Sequence, residues 1–382
     1  MSTGSLKQTL RLCFVGPAAS VTTRRWVEWF AARGHDTTVI TVEPAEAPLF
    51  HQIDVRASTG PRKLGRLLSA VRMARTIRRS RPDVVHVHYA RGLAWGLLLA
   101  RFHPYVVMPW GSDILEEQGA FREWYSKRLT RALLGNADLL TVPSDYLERR
   151  IRGLLSTVPP LVRIGPGVNL RLFHSGLDVR PLRERWQVGE TQRVIFSPRL
   201  AQVFYNHDRI IRALPAVREK VPEALLVVAE HFPDRDYVAG LRRLAADLGV
   251  SDRVRFVGSI PFADMPLWYN LADAVVMVPR SDGLPNSLLE AMACGAVPVL
   301  NRLPQYAELI SHGENGLLVD PEAQGDLVGA LVGVLSDPGL KTHLAQANRE
   351  KVMKEADQDR EMARMEEWYV RLAEAGRWRG SR

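Results

Sequence analysis

A chain of 382 residues exceeds what one ordinary hydrophobic core supports, so two domains are expected. With 46% hydrophobic and 24% charged residues it has a globular make-up, no apolar run approaches the roughly 20 residues of a spanning helix, and two distant cysteines, Cys13 and Cys294, rule out a disulfide framework. The net charge of +9 is uneven: residues 1–180 carry +12 and the remainder −3.

Residues 10–16 form an apolar strand that ends at Gly16. The same stretch has the length of a signal-peptide core, but the helical spacing of Val21, Trp26, Trp29 and Phe30 that follows makes a strand-helix unit the better reading. Gly34 closes that helix and a second strand runs to Thr41, a βαβ opening in which His35 is a strand-entry residue. Residues 61–82 hold eight basic side chains and no acid, while Leu64, Leu67, Leu68, Val71, Ala74 and Ile77 recur at three- and four-residue steps. This is an amphipathic helix, either solvated on its basic face or drawn to an anionic membrane surface. Nucleic-acid binding is not expected, because no zinc spacing or aromatic-interleaved basic run accompanies the charge.

Asp83-Val-Val-His-Val-His88 and Tyr105-Val-Val-Met-Pro-Trp-Gly-Ser-Asp113 read as buried strands. His86 and His88 are expected in the core, with His88 at the strand's carboxyl end. Asp113 fits a helix N-cap and is also the group there able to take a proton. Glycine and proline density from residue 164 and a polar tract to Glu190 mark a linker, after which Val194-Ile-Phe-Ser-Pro-Arg-Leu200 opens a second sheet. Strand and helix alternate from there on. Asp234-Arg-Asp236 has the form of a metal-holding acid pair but precedes a helix in a polar loop, where capping is the better account.

The most informative stretch is Val275-Val-Met-Val-Pro-Arg-Ser-Asp-Gly-Leu-Pro-Asn-Ser-Leu-Leu-Glu290, which reads as strand, tight loop and helix, with Gly295 closing the helix. Gly283, Leu284 and Pro285 shape the loop, and Asn286 or Ser287 is expected to cap. Free amides of Asn286, Ser287 and Leu288 at a strand's carboxyl end favour an anion such as a diphosphate. Asp282 and Glu290 frame the loop, and each carboxylate can accept from a sugar diol.

At these residues the chain resembles glycosyltransferase family 4, retaining enzymes of the GT-B fold that use nucleotide sugars. The family signature is two glutamates separated by seven residues and followed by a small-residue run. Here Glu290 matches the second, Asp282 replaces the first, and Ala291-Met-Ala-Cys-Gly295 matches the run. Gly34-His35, Gly258-Ser259, Gln305-Tyr306 and Gly313-Glu-Asn-Gly316 continue the likeness, and Arg199 stands where the family has a phosphate-binding arginine. Three departures stand out: Trp110 replaces a histidine on the acceptor side, no lysine follows Arg199 closely, and Gly16 is alone in a loop that is commonly glycine-rich. Arg209 offers a replacement for the lysine.

The resemblance implies an α/β chain of GT-B fold, two doubly wound Rossmann-like domains facing each other across a cleft. Residues 1–178 would bind the acceptor, residues 179–361 the donor, and residues 362–382 would form a helix crossing back to the first domain. It implies transfer, without a metal or other cofactor, of a hexose-type sugar from a UDP- or GDP-linked donor to a glycan or lipid-linked acceptor in surface polysaccharide or glycoconjugate synthesis. Donor contacts would come from Gly16, Arg199, Gly258, Ser259, Asp282, Gly283, Leu284, Pro285, Asn286, Ser287, Leu288 and Glu290, with Asp113, Arg199 and Asp282 as catalytic groups. The location would be cytoplasmic, at the inner membrane face if residues 61–82 touch lipid. The missing lysine and histidine motivate a competing reading, a nucleotide-sugar-binding subunit without catalysis.

Overall fold

The computed structural model describes residues 8–46, 48–57, 62–115 and 120–380. Pro61, which opens the basic stretch, and residues 381–382, which end the expected last helix, lie outside the described residues. Residues 1–166 with 359–382 make one compact unit and residues 167–358 a second. The division falls inside the stretch from residue 164 to Glu190 that composition marks as linker, because Val168 pairs in parallel with Asp357 and donates its amide to the Ala356 carbonyl at 2.8 Å, tying the start of the linker into the second unit.

Seven strands, β1 (Arg11–Val15), β2 (Asp36–Thr41), β3 (His51–Asp54), β4 (Val84–His88), β5 (Tyr105–Met108), β6 (Leu139–Val142) and β7 (Leu161–Arg163), form the first unit's sheet in the order β3-β2-β1-β4-β5-β6-β7. Six more, β8 (Arg193–Ser197), β9 (Ala224–Val228), β10 (Val254–Phe256), β11 (Ala274–Met277), β12 (Val297–Asn301) and β13 (Leu317–Val319), form the second in the order β10-β9-β8-β11-β12-β13. Every pairing is parallel. Each sheet therefore runs one way from its first strand and then doubles back, with a switch point at β1/β4 and at β8/β11. Open sheets of this order bind ligands beyond the strands' carboxyl ends at that point.

Both faces of each sheet's central strands are covered, so β4, β5, β6, β9 and β11 are buried along their whole length, as parallel sheets require. Helix ends follow local chemistry. Ser144 accepts the Leu147 amide at 3.2 Å, and Asp234 accepts those of Asp236 and Tyr237 at 3.1 Å, which makes the Asp-Arg-Asp run a helix cap. The last helix, Gln358–Gly380, packs in the first unit: Met362, Met365 and Tyr369 are fully buried with Phe14, Trp26 and Phe30. Its Glu366 holds Arg33 at 2.8 Å and His35 at 2.9 Å, while His35 Nδ1 accepts the Leu10 amide at 3.2 Å, so His35 is structural.

The basic helix, Arg62–Ser80, is split along its length. Met73, Ala74 and Ile77 dock in the core, whereas Leu64, Leu67 and Leu68 of the first turns are 49%, 56% and 37% exposed. The apolar stripe expected to act as one face thus divides between protein and solvent.

At the first unit's switch point an added Cβ on Gly16 would meet the Cβ and carbonyl oxygen of His88 at 2.9 Å, so glycine is fixed there by the close approach of β4. His86 and His88 share one face of β4, with rings 4.6 Å apart and edge-on to Trp26. His86 Nδ1 bonds the Tyr369 hydroxyl and His88 Nδ1 approaches the Thr23 hydroxyl at 3.4 Å. Burial drives His86 far below its ordinary value and His88 to about 3. The folded chain keeps both neutral while the unfolded chain charges them, so stability is intact above the ordinary value of 6.5 and falls as pH drops from there toward about 3. Urea midpoints measured across this window will fall with acid, and more shallowly in His88→Gln than in wild type.

Candidate functional site

In the second unit the loops after β8 and β11 flank the switch point, and each contributes one member of an ion pair. Arg199 follows β8 and Asp282 lies in the loop from β11 to helix Asn286–Cys294. Arg199 Nη2 meets Asp282 Oδ2 at 2.8 Å, with both side chains about six-sevenths buried, 15% and 14% exposed. The Tyr306 hydroxyl donates to the same Oδ2 at 2.7 Å, and the Gly283 amide donates to Oδ1 at 2.9 Å. Arg199 Nη1 donates to the Ser287 hydroxyl at 3.0 Å and its guanidinium lies 4.8 Å from the centre of the Tyr205 ring.

Burial opposes the charge on Arg199, but Asp282 and the surrounding tyrosine oxygens outweigh it and raise its pKa further. The guanidinium is a permanent cation. Burial, reinforced by Asp282, raises the Tyr306 phenol well above its ordinary value, which keeps it a donor.

The backbone of the loop is tied to its neighbours. Asn206 Nδ2 donates to the Val278 carbonyl at 2.9 Å, Asn301 Nδ2 to that of Pro279 at 2.5 Å, the Arg280 amide to the Phe204 carbonyl at 3.1 Å, and Gln305 Nε2 to the Asp282 carbonyl. Three neighbouring side chains thus hold the loop's carbonyls and one neighbouring carbonyl holds its Arg280 amide, so the loop has a fixed form despite lacking regular structure. Within this cluster Arg199 Nε and Gln305 Oε1 are buried without a partner among the described residues. Unmet buried capacity is uncommon and marks a place where water or ligand is expected.

No side chain caps helix Asn286–Cys294 among the described residues; Pro285 holds the cap position, correcting the expectation of Asn286 or Ser287. Ser287 is drawn to Arg199 instead. The Leu288 amide donates to the Pro285 carbonyl at 3.0 Å, so of the three amides expected to receive an anion this one serves the helix's own first turn. Glu290, one turn on, is 5% exposed and accepts the hydroxyl of fully buried Tyr269 at 3.2 Å. Leu284 packs against the second unit's core.

At the outer side of the same sheet edge, Gly258 has φ +71° and Ser259 Oγ lies 3.1 Å from His231 Nδ1. Loops join this side to Arg199: the Ala201 amide donates to the His231 carbonyl at 3.3 Å. Arg209, considered as a second cation, pairs with Glu322 at 2.6 Å and does not join the cluster.

Gly16 and Asp113 belong to the first unit. Asp113 is 1% exposed and accepts the amides of Ala90, Gly111 and Trp110 at 2.6, 2.9 and 3.0 Å. Burial raises its pKa against the pull of those amides. Through these bonds its oxygens join the loops after β4 and β5.

Sequence reading missed Tyr306, Gln305, Tyr205, Asn206 and Tyr269. In the sequence Gln305-Tyr306 carries only a family likeness, and nothing local indicates that Tyr306 reaches Asp282.

Replacing Arg199 by Met strands an enclosed carboxylate and is expected to cost about 3–5 kcal/mol of unfolding free energy, whereas Arg199→Met with Asp282→Leu costs less than the single change. Removing one hydrogen bond to that carboxylate in Tyr306→Phe costs about 1.5–3 kcal/mol. Urea denaturation of the three variants checks both.

Two family models match the chain: "Glycosyl transferases group 1" over residues 179–351 and "Glycosyl transferase 4-like" over residues 11–144. A GDP-mannose-dependent alpha-(1-6)-phosphatidylinositol monomannoside mannosyltransferase of Mycolicibacterium smegmatis is 31% identical over 227 residues, 57% of this chain and 58% of the relative, so the match spans less than two thirds of that protein's length. A D-inositol 3-phosphate glycosyltransferase of Pseudarthrobacter chlorophenolicus is 26% identical over 300 residues, 74% of this chain and 70% of the relative. Among solved structures, sucrose-phosphate synthase from Thermosynechococcus elongatus superposes with a TM-score of 0.82 at 20% identity, covering 95% of this chain and 99% of that one. Anabaena HepE in complex with UDP-glucose gives 0.81 at 18% identity, covering 95% and 100%. Two parallel doubly wound sheets, a fold shared with solved transferases, and models that together reach from residue 11 to residue 351 carry one conclusion: the chain belongs to glycosyltransferase family 4 and has the two-domain GT-B fold.

Proposed function

We propose that the chain moves a hexose-type sugar from a nucleotide diphosphate sugar to a glycan or lipid-linked acceptor, with retention at the anomeric carbon and without a metal, in the synthesis of surface polysaccharide or glycoconjugate. The observation that carries this reading is the buried Arg199 at the β8/β11 switch point, tied to Asp282 and Ser287 with its Nε donor unmet. As the glycosidic bond stretches, negative charge gathers on the leaving diphosphate. A guanidinium and the amino end of helix Asn286–Cys294 are suited to stabilise it in place of a metal ion. Asp282 then faces the donor sugar while Glu290 accepts from the ribose. Gly258 and Ser259 meet the base, and Asp113 holds the acceptor-side loops in place of moving a proton. The mannosyltransferase named above is GDP-mannose-dependent and HepE was solved with UDP-glucose, which supports a nucleotide sugar as the donor.

A cation shared with Asp282, with no lysine close behind it, also favours the second reading, a nucleotide-sugar-binding subunit without turnover. Turnover across an acceptor panel separates the two. In both, Glu290→Ala is expected to weaken nucleotide-sugar binding by about 1.5–3 kcal/mol, the range for a hydrogen bond to a charged group. Calorimetry on the folded variant checks this, and unchanged affinity removes Glu290 from the site.

The acceptor side of the reading is a cytoplasmic protein that rests on the inner membrane face. Leu64, Leu67 and Leu68 stand exposed on a helix without acids, and Trp124 and Tyr125, on helix Ala120–Gly135 of the same unit, are 57% and 55% exposed. Apolar side chains beside arginines suit an anionic bilayer, to which each basic group near the surface adds about 1 kcal/mol. No helix is long and apolar enough to cross a membrane among the described residues. The protein is expected to float with vesicles containing anionic lipid and to stay behind with neutral ones; triple replacement of Leu64, Leu67 and Leu68 by Ser should abolish flotation.

A further inference from the structure

Beyond Arg199, on the β9 and β10 side of the sheet edge, the rim is built around a carboxylate. Glu230 follows β9, and its amide donates to the Gly258 carbonyl at 2.8 Å while the Gly258 amide donates back to Glu230 Oε2 at 3.0 Å. Oε1 takes Arg242 Nη2 at 2.9 Å, and the Arg242 guanidinium lies 4.2 Å from the centre of the Phe256 ring, so the carboxylate is anchored from two sides and only 15% of the side chain is exposed. A Cβ added at Gly258 would meet nothing within 4 Å, which leaves open space above that glycine. Phe232, two residues beyond Glu230, is 78% exposed with φ +42°, its carbonyl held by Gln202 Nε2 at 3.0 Å.

We propose that Glu230 selects guanine as the base of the donor. The inference rests on the reading above that Gly258 and Ser259 meet the base. A carboxylate offers roughly four acceptor directions, and two are used by Arg242 and the Gly258 amide. One remains on each oxygen, side by side, and two parallel donors match that pair. Guanine presents such donors on one edge, its ring N1–H and exocyclic N2–H. Uracil presents a single N–H flanked by two carbonyl oxygens, which the carboxylate repels. Adenine and cytosine each set one amino donor beside a ring acceptor. An exposed phenylalanine nearby offers a face for a purine to stack on. A backbone amide alone would accommodate uracil; a carboxylate that already occupies the Gly258 amide does not.

Calorimetry on the whole chain with GDP, IDP and UDP tests this, since IDP keeps the ring N–H and lacks the amino group. GDP is expected to bind about tenfold or more tighter than either, the worth of one charged hydrogen bond. Glu230→Gln should bring GDP down to the level of IDP and leave UDP unweakened. UDP binding as tightly as GDP overturns the inference and leaves the donor site standing. Equal GDP and IDP affinities overturn the paired contact, and a guanine preference that survives in folded Glu230→Gln overturns the choice of residue. If none of the three binds, the donor-site reading fails and the inference falls with it. Should Glu230→Gln not fold, the comparison of GDP with IDP on the wild-type chain decides alone.

Discussion

The second unit turns on one enclosed ion pair. β8 and β11 are neighbours in the sheet whose following loops depart in opposite senses, so the gap between them is bridged by the Arg280 amide's bond to the Phe204 carbonyl and by side chains. Arg199 and Asp282 span that gap at 2.8 Å. Two desolvated charges repay their loss of water only with good geometry and further hydrogen bonds. Tyr306, Gly283 and Ser287 supply them. The pair therefore fixes both loops, and through Ser287 it fixes the start of the helix as well.

The shorter acid has meaning in this setting. An aspartate draws its oxygens back toward the loop by about 1.5 Å relative to glutamate, and the position it reaches lies between an arginine and a tyrosine. The same shortening that keeps the carboxylate close to its cation reduces its reach outward. Charge stabilisation at this site is consequently a matter of sharing: any anion that draws on Arg199 competes with a carboxylate already in place. The rim at Glu230 repeats the pattern, a carboxylate holding an arginine on one oxygen and a backbone amide on the other.

Much of the architecture was legible in the sequence. The apolar runs that became β1, β4, β8 and β11 are buried on both faces and bounded by glycine or proline, and the spacing of Trp26 and Phe30 gave the first helix. Elements lacking those signals escaped. β3 has the sequence His51-Gln-Ile-Asp54 and an exposed edge, β7 has three residues, and helix Arg180–Trp186 lies in what composition marks as linker. In the site, loop shape and charged residues could be read locally. Partners could not, because Tyr306 lies 24 positions from Asp282 and Ser287 88 from Arg199, and only the fold decides which side chains fill such gaps. Asp113 likewise gains a partner that its own stretch does not announce, the amide of Ala90 lying 23 positions away.

The first unit is discontinuous in the chain. Met362, Met365, Tyr369 and Ala373 complete a core whose other members lie within residues 10–164, whereas the second unit runs unbroken from 167 to 358. During synthesis the amino-terminal segment emerges first yet leaves an apolar groove open beside Trp26 and Phe30 until residues 362–373 have cleared the ribosome. The later-made half can be finished before the earlier one, and the nascent chain passes through a long interval in which that groove is a target for chaperones or for aggregation.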